Sequence, residues 1–244
     1  MKSRRRRLML SVALLGSAAV HAADPAAVLR VVAPVNQSMP MLRMVGSVPA
    51  EGLLKDVGEA LAERLGLSAA FVPLPGKRAG PAVASGAADL LCYVKPGWLD
   101  DKVLWTRPFL YGTGIIAAHP AAPAVTSLYE LRNESLGTVL GYHYPILDLA
   151  FMQSIRREDV PDATTNLRRL ALGRIRYAVT DRAALDYFLR DNPTSGLREV
   201  IEVERYQLSC ALSPDKAQLL EPLNRVIDRM QADGSLEVLF NRYR

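Results

Sequence analysis

The feature that most constrains this chain is a regular alternation of short β-branched runs with amphipathic helical stretches. Val28 to Ala33 reads as a strand. Gly52 to Leu65 places Leu53, Leu54, Val57, Leu61 and Leu65 on one helical face, with Lys55, Glu59 and Glu63 largely elsewhere and Gly66 as the stop. Ala69 to Leu74 is a second strand. The Pro73-Leu74-Pro75-Gly76 turn leads to a short helix from Pro81 to Ser85, ended by Gly86, and Asp89 to Val94 is a third strand. A β-α-β-α-β order of this kind builds a parallel sheet covered by helices.

A second alternation follows. Gly114 to Ala118 is a strand, Ser127 to Glu130 is a capping box opening a short helix, and Leu136 to Leu140 is a strand running into the Gly141 to Pro145 loop. Helices are expected at Ile146 to Ile155, at Leu167 to Leu172 with Asn166 as cap and Gly173 as stop, and at Arg182 to Arg190. Strands are expected at Tyr177 to Thr180, Val200 to Val203 and Gln207 to Leu212. The chain closes with a helix over Pro214 to Ala232, stopped at Gly234, and a short one over Leu236 to Asn241. Two such units in 244 residues predict a bilobed α/β protein with a cleft between the lobes.

Charge narrows the function. Lys2 and Arg4 to Arg7 carry five of the 30 basic residues, and the first 22 positions hold no acid, so the remainder balances at 25 basic and 25 acidic. With no spare positive charge to neutralise phosphates, nucleic acid is not an expected partner. Those first residues form a basic stretch, an apolar run from Leu8 to Val20 and a small-x-small site at Val20-His21-Ala22, the pattern of a signal peptide over residues 1–22 cleaved after Ala22. The apolar run is too short for a bilayer span. A periplasmic location is expected.

Cys92 and Cys210 both lie inside apolar, strand-like runs. In an oxidising compartment they form one disulfide or serve as two small buried apolar residues, and the sequence leaves both readings open. Neither has a CxxC partner or a His at metal spacing, so no metal or other cofactor is expected.

The order of the strand Leu29 to Pro34, then Gly52 to Val57, Leu65-Gly66, Ser85-Gly86-Ala87-Ala88-Asp89, Trp105 to Phe109, Leu172-Gly173-Arg174, Thr180-Asp181 and Asp233-Gly234-Ser235 resembles the extracellular solute-binding proteins of family 3. These are the amino-acid-type periplasmic binding proteins of ABC importers. The resemblance implies a type II periplasmic-binding-protein fold, with lobe 1 over 23–113 and 206–244 and lobe 2 over 114–205. Hinge strands would lie near Tyr111 to Ile115 and Val203 to Gln207. It also implies a monomer, a small polar ligand, either amino-acid-like or anionic, and a membrane permease as partner. Asp89 and Asp181 are expected at the edges of two sheets facing one cleft.

Residue by residue, the resemblance makes Asp181 the lobe 2 carboxylate that holds a ligand ammonium; read from the sequence alone, it is equally a cap for the helix at Arg182. The family usually follows its first Gly-x-x-Asp strand with a Thr and an Arg that clamp an α-carboxylate. Here the run is Tyr93-Val94-Lys95-Pro96-Gly97-Trp98, with no such Arg. Lys does not replace a planar bidentate guanidinium, so a standard α-amino acid loses its expected clamp. Arg78 matches a position where some relatives place a cleft-facing Arg, and reads equally as a solvated loop residue. Tyr93 and Trp98 flanking Lys95, and the cluster Tyr142-His143-Tyr144 before a helix starting at Pro145, are the remaining ligand-binding candidates; their alternative is packing at the rim between lobes.

Three functions compete. The first is a binding protein that closes on its ligand. The second is an enzyme on the same fold, as in cyclohexadienyl dehydratases, although the segment after residue 22 holds only His119 and His143 and lacks a Gly-x-Ser-x-Gly elbow, a His-Glu-x-x-His motif and a phosphate loop. No enzyme activity is expected. The third is a soluble sensor docking on a receptor.

Overall fold

The computed structural model describes residues 27–99, 102–152 and 155–243. The expected signal segment lies outside the described residues. In the first half β1 is Val28–Pro34, β2 and β3 form a hairpin at Arg43–Val45 and Val48–Glu51, α1 is Leu53–Arg64, β4 is Ser68–Leu74, α2 is Gly76–Ala84, β5 is Leu90–Val94 and β6 is Leu104–Trp105. Then come β7 (Leu110–Ala118), a 3-10 turn (Leu128–Leu131), β8 (Ser135–Val139), α3 (Pro145–Ala150), β9 (Arg156–Val160), α4 (Ala163–Ala171), β10 (Tyr177–Asp181) and α5 (Arg182–Asp191). The chain ends with β11 (Arg198–Leu212), a 3-10 turn (Pro214–Leu219), α6 (Leu220–Ala232) and α7 (Ser235–Asn241).

The strands run in the order β4-β1-β5-β11-β7-β10-β8-β9, with β6 also on β11. β1 pairs parallel with β4 and β5, and β8 pairs parallel with β9 and β10. Between these blocks stand the long strands β7 and β11, antiparallel from Arg198 opposite Ala118 to Leu208 opposite Leu110. Beyond that point β11 continues against β5, through Cys210 opposite Cys92.

Both faces of each block are buried, which is why the strands read as near-continuous apolar runs. Leu29 and Val31 pack with Val57, Leu61, Val226 and Ile227 on one face of β1, while Val32 packs with Val83 and Ala211 on the other. In the second block Ile115 and Ala117 join Leu170, Leu185 and Phe188, while Ile116 and Ala118 join Leu136, Leu147 and Tyr177. The period-2 alternation sends neighbouring residues of one strand into different cores.

Several expected boundaries move. α2 begins at Gly76, not at Pro81, so Pro81 sits inside it on an exposed face. α4 begins at Ala163 with Asp162 as its cap, its carboxylate accepting from the Thr165 N–H at 2.8 Å. Asn166 is instead buried within that helix, where its amide donates to the Val179 carbonyl. α3 is six residues and stops at Ala150. The strand β9 was not expected, because Arg156-Arg157-Glu158-Asp159 is the charged surface of a sheet edge. The separate strands expected over Val200 to Val203 and Gln207 to Leu212 are one strand of 15 residues, which carries the polar stretch Glu204-Arg205-Tyr206 between the blocks. Among the described residues no helix is long and apolar enough to cross a membrane.

Cys92 and Cys210 are disulfide-bonded, their Cα atoms 3.9 Å apart. This settles the reading the sequence left open. Asp89 departs from expectation: it is fully buried, bonded to the Arg30 guanidinium at 2.6 Å, and does not line the cleft. Burial works against its charge, but the Arg30 side chain and N–H hold the carboxyl below the usual range.

Candidate functional site

A cavity of about 220 Å³ lies at the carboxyl ends of the parallel strands of both blocks, where open α/β sheets bind ligands. β1 ends into Asn36, Gln37 and Ser38, and β4 into Gly76 at the start of α2. β5 ends on Tyr93 and Val94, β8 on Val139 ahead of Gly141 to Tyr144, and β10 on Asp181. The crossing strands add Gly114, Glu204 and Tyr206.

Asp181 is the centre of the cavity's polar network, and it is also the cap of α5. Its Oδ1 accepts from the Ala183 N–H at 2.9 Å, while Oδ2 accepts from the Tyr93 hydroxyl at 3.2 Å and from the Tyr206 hydroxyl. Burial pushes the carboxyl up, and the Tyr206, Ala183 and Tyr93 donors oppose that rise without cancelling it. Burial, then the Asp181 charge, likewise drives the Tyr93 and Tyr206 hydroxyls far above the usual tyrosine range. Tyr93 reaches this position from a left-handed backbone, φ +66°, a conformation uncommon for a bulky residue and concentrated at functional sites.

Lys95 has its charge taken up elsewhere. Its Nζ lies 2.8 Å from Glu204 Oε2 and 5.2 Å from the ring centres of both Trp98 and Tyr206, and it does not line the cavity. Arg78 is exposed on α2 and also stands outside the lining. Tyr142, His143 and Tyr144 do line it, His143 from an exposed position at the mouth. The Tyr144 hydroxyl accepts from the Val139 N–H at 3.0 Å, and burial pushes it up to about 12. Arg157 braces this loop from behind, its guanidinium donating to the carbonyls of Tyr142 and Val139 and lying 5.0 Å from the Tyr144 ring centre.

Of the eight residues expected at the site, the structure brings six together around the cavity: Tyr93, Trp98, Tyr142, His143, Tyr144 and Asp181. Tyr206, Glu204, Asn36 and Arg157 were missed. Tyr206 carried no signal of its own, because Glu204-Arg205-Tyr206 reads as a polar connection between two strand-like runs. Direct contacts tie the blocks across the cavity: Tyr93 donates to Asp181, and Ser38 Oγ donates to Asp162 Oδ1 at 3.3 Å and accepts from the Thr164 N–H at 3.1 Å. Among the described residues no cluster of metal-ligating side chains exists.

A model of the bacterial extracellular solute-binding proteins, family 3, matches residues 31–244. The chain belongs to that family. A search of curated proteins finds no match in sequence. Among solved structures, this family 3 chain is similar to an ancestral arginine-binding protein bound to arginine, at 20% identity and TM-score 0.75 over 90% of this chain and 99% of the other. It is also similar to an amino acid ABC transporter substrate-binding protein of Streptococcus pneumoniae bound to L-arginine, at 18% identity and TM-score 0.72 over 88% and 94%. A third is an ancestral amino-acid-binding protein, a precursor of cyclohexadienyl dehydratase, at 20% identity and TM-score 0.74 over 88% and 95%. This family 3 protein thus has the mixed α/β fold of type II periplasmic binding proteins.

Proposed function

We propose that this chain is an exported, periplasmic solute-binding protein that closes two lobes on a small polar molecule, amino-acid-like or anionic by the family resemblance, and presents it to the permease of an ABC importer. Lobe 1 is 23–113 with 206–244, lobe 2 is 114–205, and the β7–β11 pair is the hinge between them. The observation that carries the reading is the cavity itself: it is lined from both lobes, and the Tyr93–Asp181 and Ser38–Thr164 contacts cross it. A ligand bridging those walls makes its full set of contacts only when the lobes are closed, which is how a binding protein couples capture to closure. The Cys92–Cys210 disulfide fits an oxidising compartment.

A thermal-shift screen of the purified protein against amino acids, small carboxylates, polyamines and aromatic acids tests this. A ligand at 100 times its Kd stabilises by about 2.7 kcal/mol, or roughly 5–10 °C for a chain of this size. A hit lost in Asp181→Ala supports the reading; no hit at millimolar concentration overturns it. Turnover of prephenate or arogenate in the same screen would favour the enzyme, for which the dehydratase precursor among the similar structures is the argument. Against it, a dianion would enter a cavity that among the described residues is lined by no Lys or Arg.

A further inference from the structure

The cavity is charged in one direction. Among the described residues its lining holds Asp181 and Glu204 and no Lys or Arg. Glu204 is compensated by Lys95 behind the wall. Asp181 is held by two tyrosine hydroxyls and one backbone N–H, all neutral donors, and Arg182 next to it is engaged by Glu199 and Glu202 at 2.6 and 2.9 Å. Among the described residues, the Asp181 carboxylate therefore faces the cavity with no cation in contact, Arg182 acting on it only through space.

The rest of the wall suits a cation. Tyr93, Trp98, Tyr142, Tyr144 and Tyr206 line the space; Lys95 already lies by the Trp98 and Tyr206 rings and Arg157 by that of Tyr144, so the wall is built of rings that receive cations, and ring faces attract ammonium groups most strongly where water is excluded. Among the described residues, two buried side-chain atoms at the cavity lack a partner. Asn36 Oδ1 is an acceptor open to an N–H. Trp98 Nε1–H is a single neutral donor, able to take a hydroxyl or carbonyl but not to compensate a carboxylate. Burial first, then Tyr144, Asp181 and Asp162, pushes the Tyr142 hydroxyl up.

We infer that the ligand is an organic cation, an amine or quaternary ammonium with an apolar body and no carboxylate of its own. This rests on the interlobe-binding reading and narrows it: an anionic or standard amino-acid ligand would bring a carboxylate beside Asp181, and among the described residues the lining supplies no Lys or Arg to pair it.

Isothermal titration calorimetry on the purified protein with two matched sets separates these. The first set is phenethylamine, L-phenylalanine and 3-phenylpropionate, which share a body and differ in charge; the second is agmatine and L-arginine, which differ by the carboxyl group. Each amine should bind at least about 30-fold more tightly than its amino acid, the usual scale for a buried charge left unpaired. The propionate should show no heat of binding. Asp181→Asn should weaken the amines about tenfold or more while leaving the protein folded by its unfolding curve; the wild-type comparison stands even if that variant fails to fold. If L-phenylalanine, L-arginine or the propionate binds as tightly as the matched amine, the ligand class is wrong and the solute-binding reading survives. If neither these compounds nor the wider screening panel binds, both fall.

Discussion

Asp181 does two jobs that the sequence presents as alternatives. It caps α5 through Oδ1 and faces the cavity through Oδ2, because β10 ends at the sheet edge where α5 begins. Either reading of the residue was legible; their coexistence was not, since it depends on Tyr93 and Tyr206 arriving from elements 88 and 25 residues away. The same burial gives a pH signature. A carboxyl raised in the native state binds its proton more readily there than in the unfolded chain, so its contribution is whole below about pH 4 and is lost as pH rises through the native value. Asp89 has the opposite sign: held down by Arg30, it stabilises above about pH 4 and loses that contribution on acidification. Asp181→Asn removes only the first term. The melting temperature of Asp181→Asn minus that of the wild type should therefore climb from pH 4 to pH 7, and a difference flat with pH would mean that burial does not burden this carboxylate.

At the scale of elements, the β7–β11 ladder carries the site. Gly112 lies opposite Tyr206 in the ladder, and the Tyr206 ring occupies the space that a side chain at Gly112 would need. The ring can reach Asp181 because that strand position is bare. Gly112→Ala should displace the ring, at about 1–3 kcal/mol in denaturant unfolding, the usual range for an overpacked site, and weaken any ligand that Asp181 helps to hold. Unchanged stability and unchanged binding together would show that the ring does not depend on this glycine. Periodicity revealed most elements here, because a buried strand or a one-sided helix writes its packing into its own residues. β9 and the middle of β11 escaped it for the same physical reason. Arg156 to Asp159 and Glu204 to Tyr206 face solvent, a cleft or each other, and polar residues in such places look like loop.

For the whole molecule, the resemblance carried by scattered Gly and Asp positions was enough to reach the family, while the contacts between the two blocks were not legible. Ser38 meets Asp162 across 124 residues, and no local pattern encodes such a meeting. The disulfide belongs to this scale as well. It joins residues 118 apart, enclosing nearly the whole second block within its loop, and removing a native disulfide that closes a long loop typically costs about 2–5 kcal/mol. The double variant Cys92→Ala/Cys210→Ala should lose stability on that order in guanidinium unfolding, and reduction of the wild type should give a similar loss. Equal midpoints for oxidised and reduced protein would remove the bond from the account of stability.

The split of the first block between the two ends of the chain has a consequence for biogenesis. The cores around Ile115 and Ile116 draw on a nearly contiguous stretch of the chain, whereas the core around Leu29 also needs Leu208, Leu212, Val226 and Met230. As the polypeptide emerges from its N-terminus, the second block can condense while the first waits for the last strand and the closing helices. During that interval the Cys92 thiol has no native partner. The order of emergence thus leaves the Cys92 thiol without its partner until residue 210 arrives, so the disulfide can form only after every residue of the second block's cores has emerged.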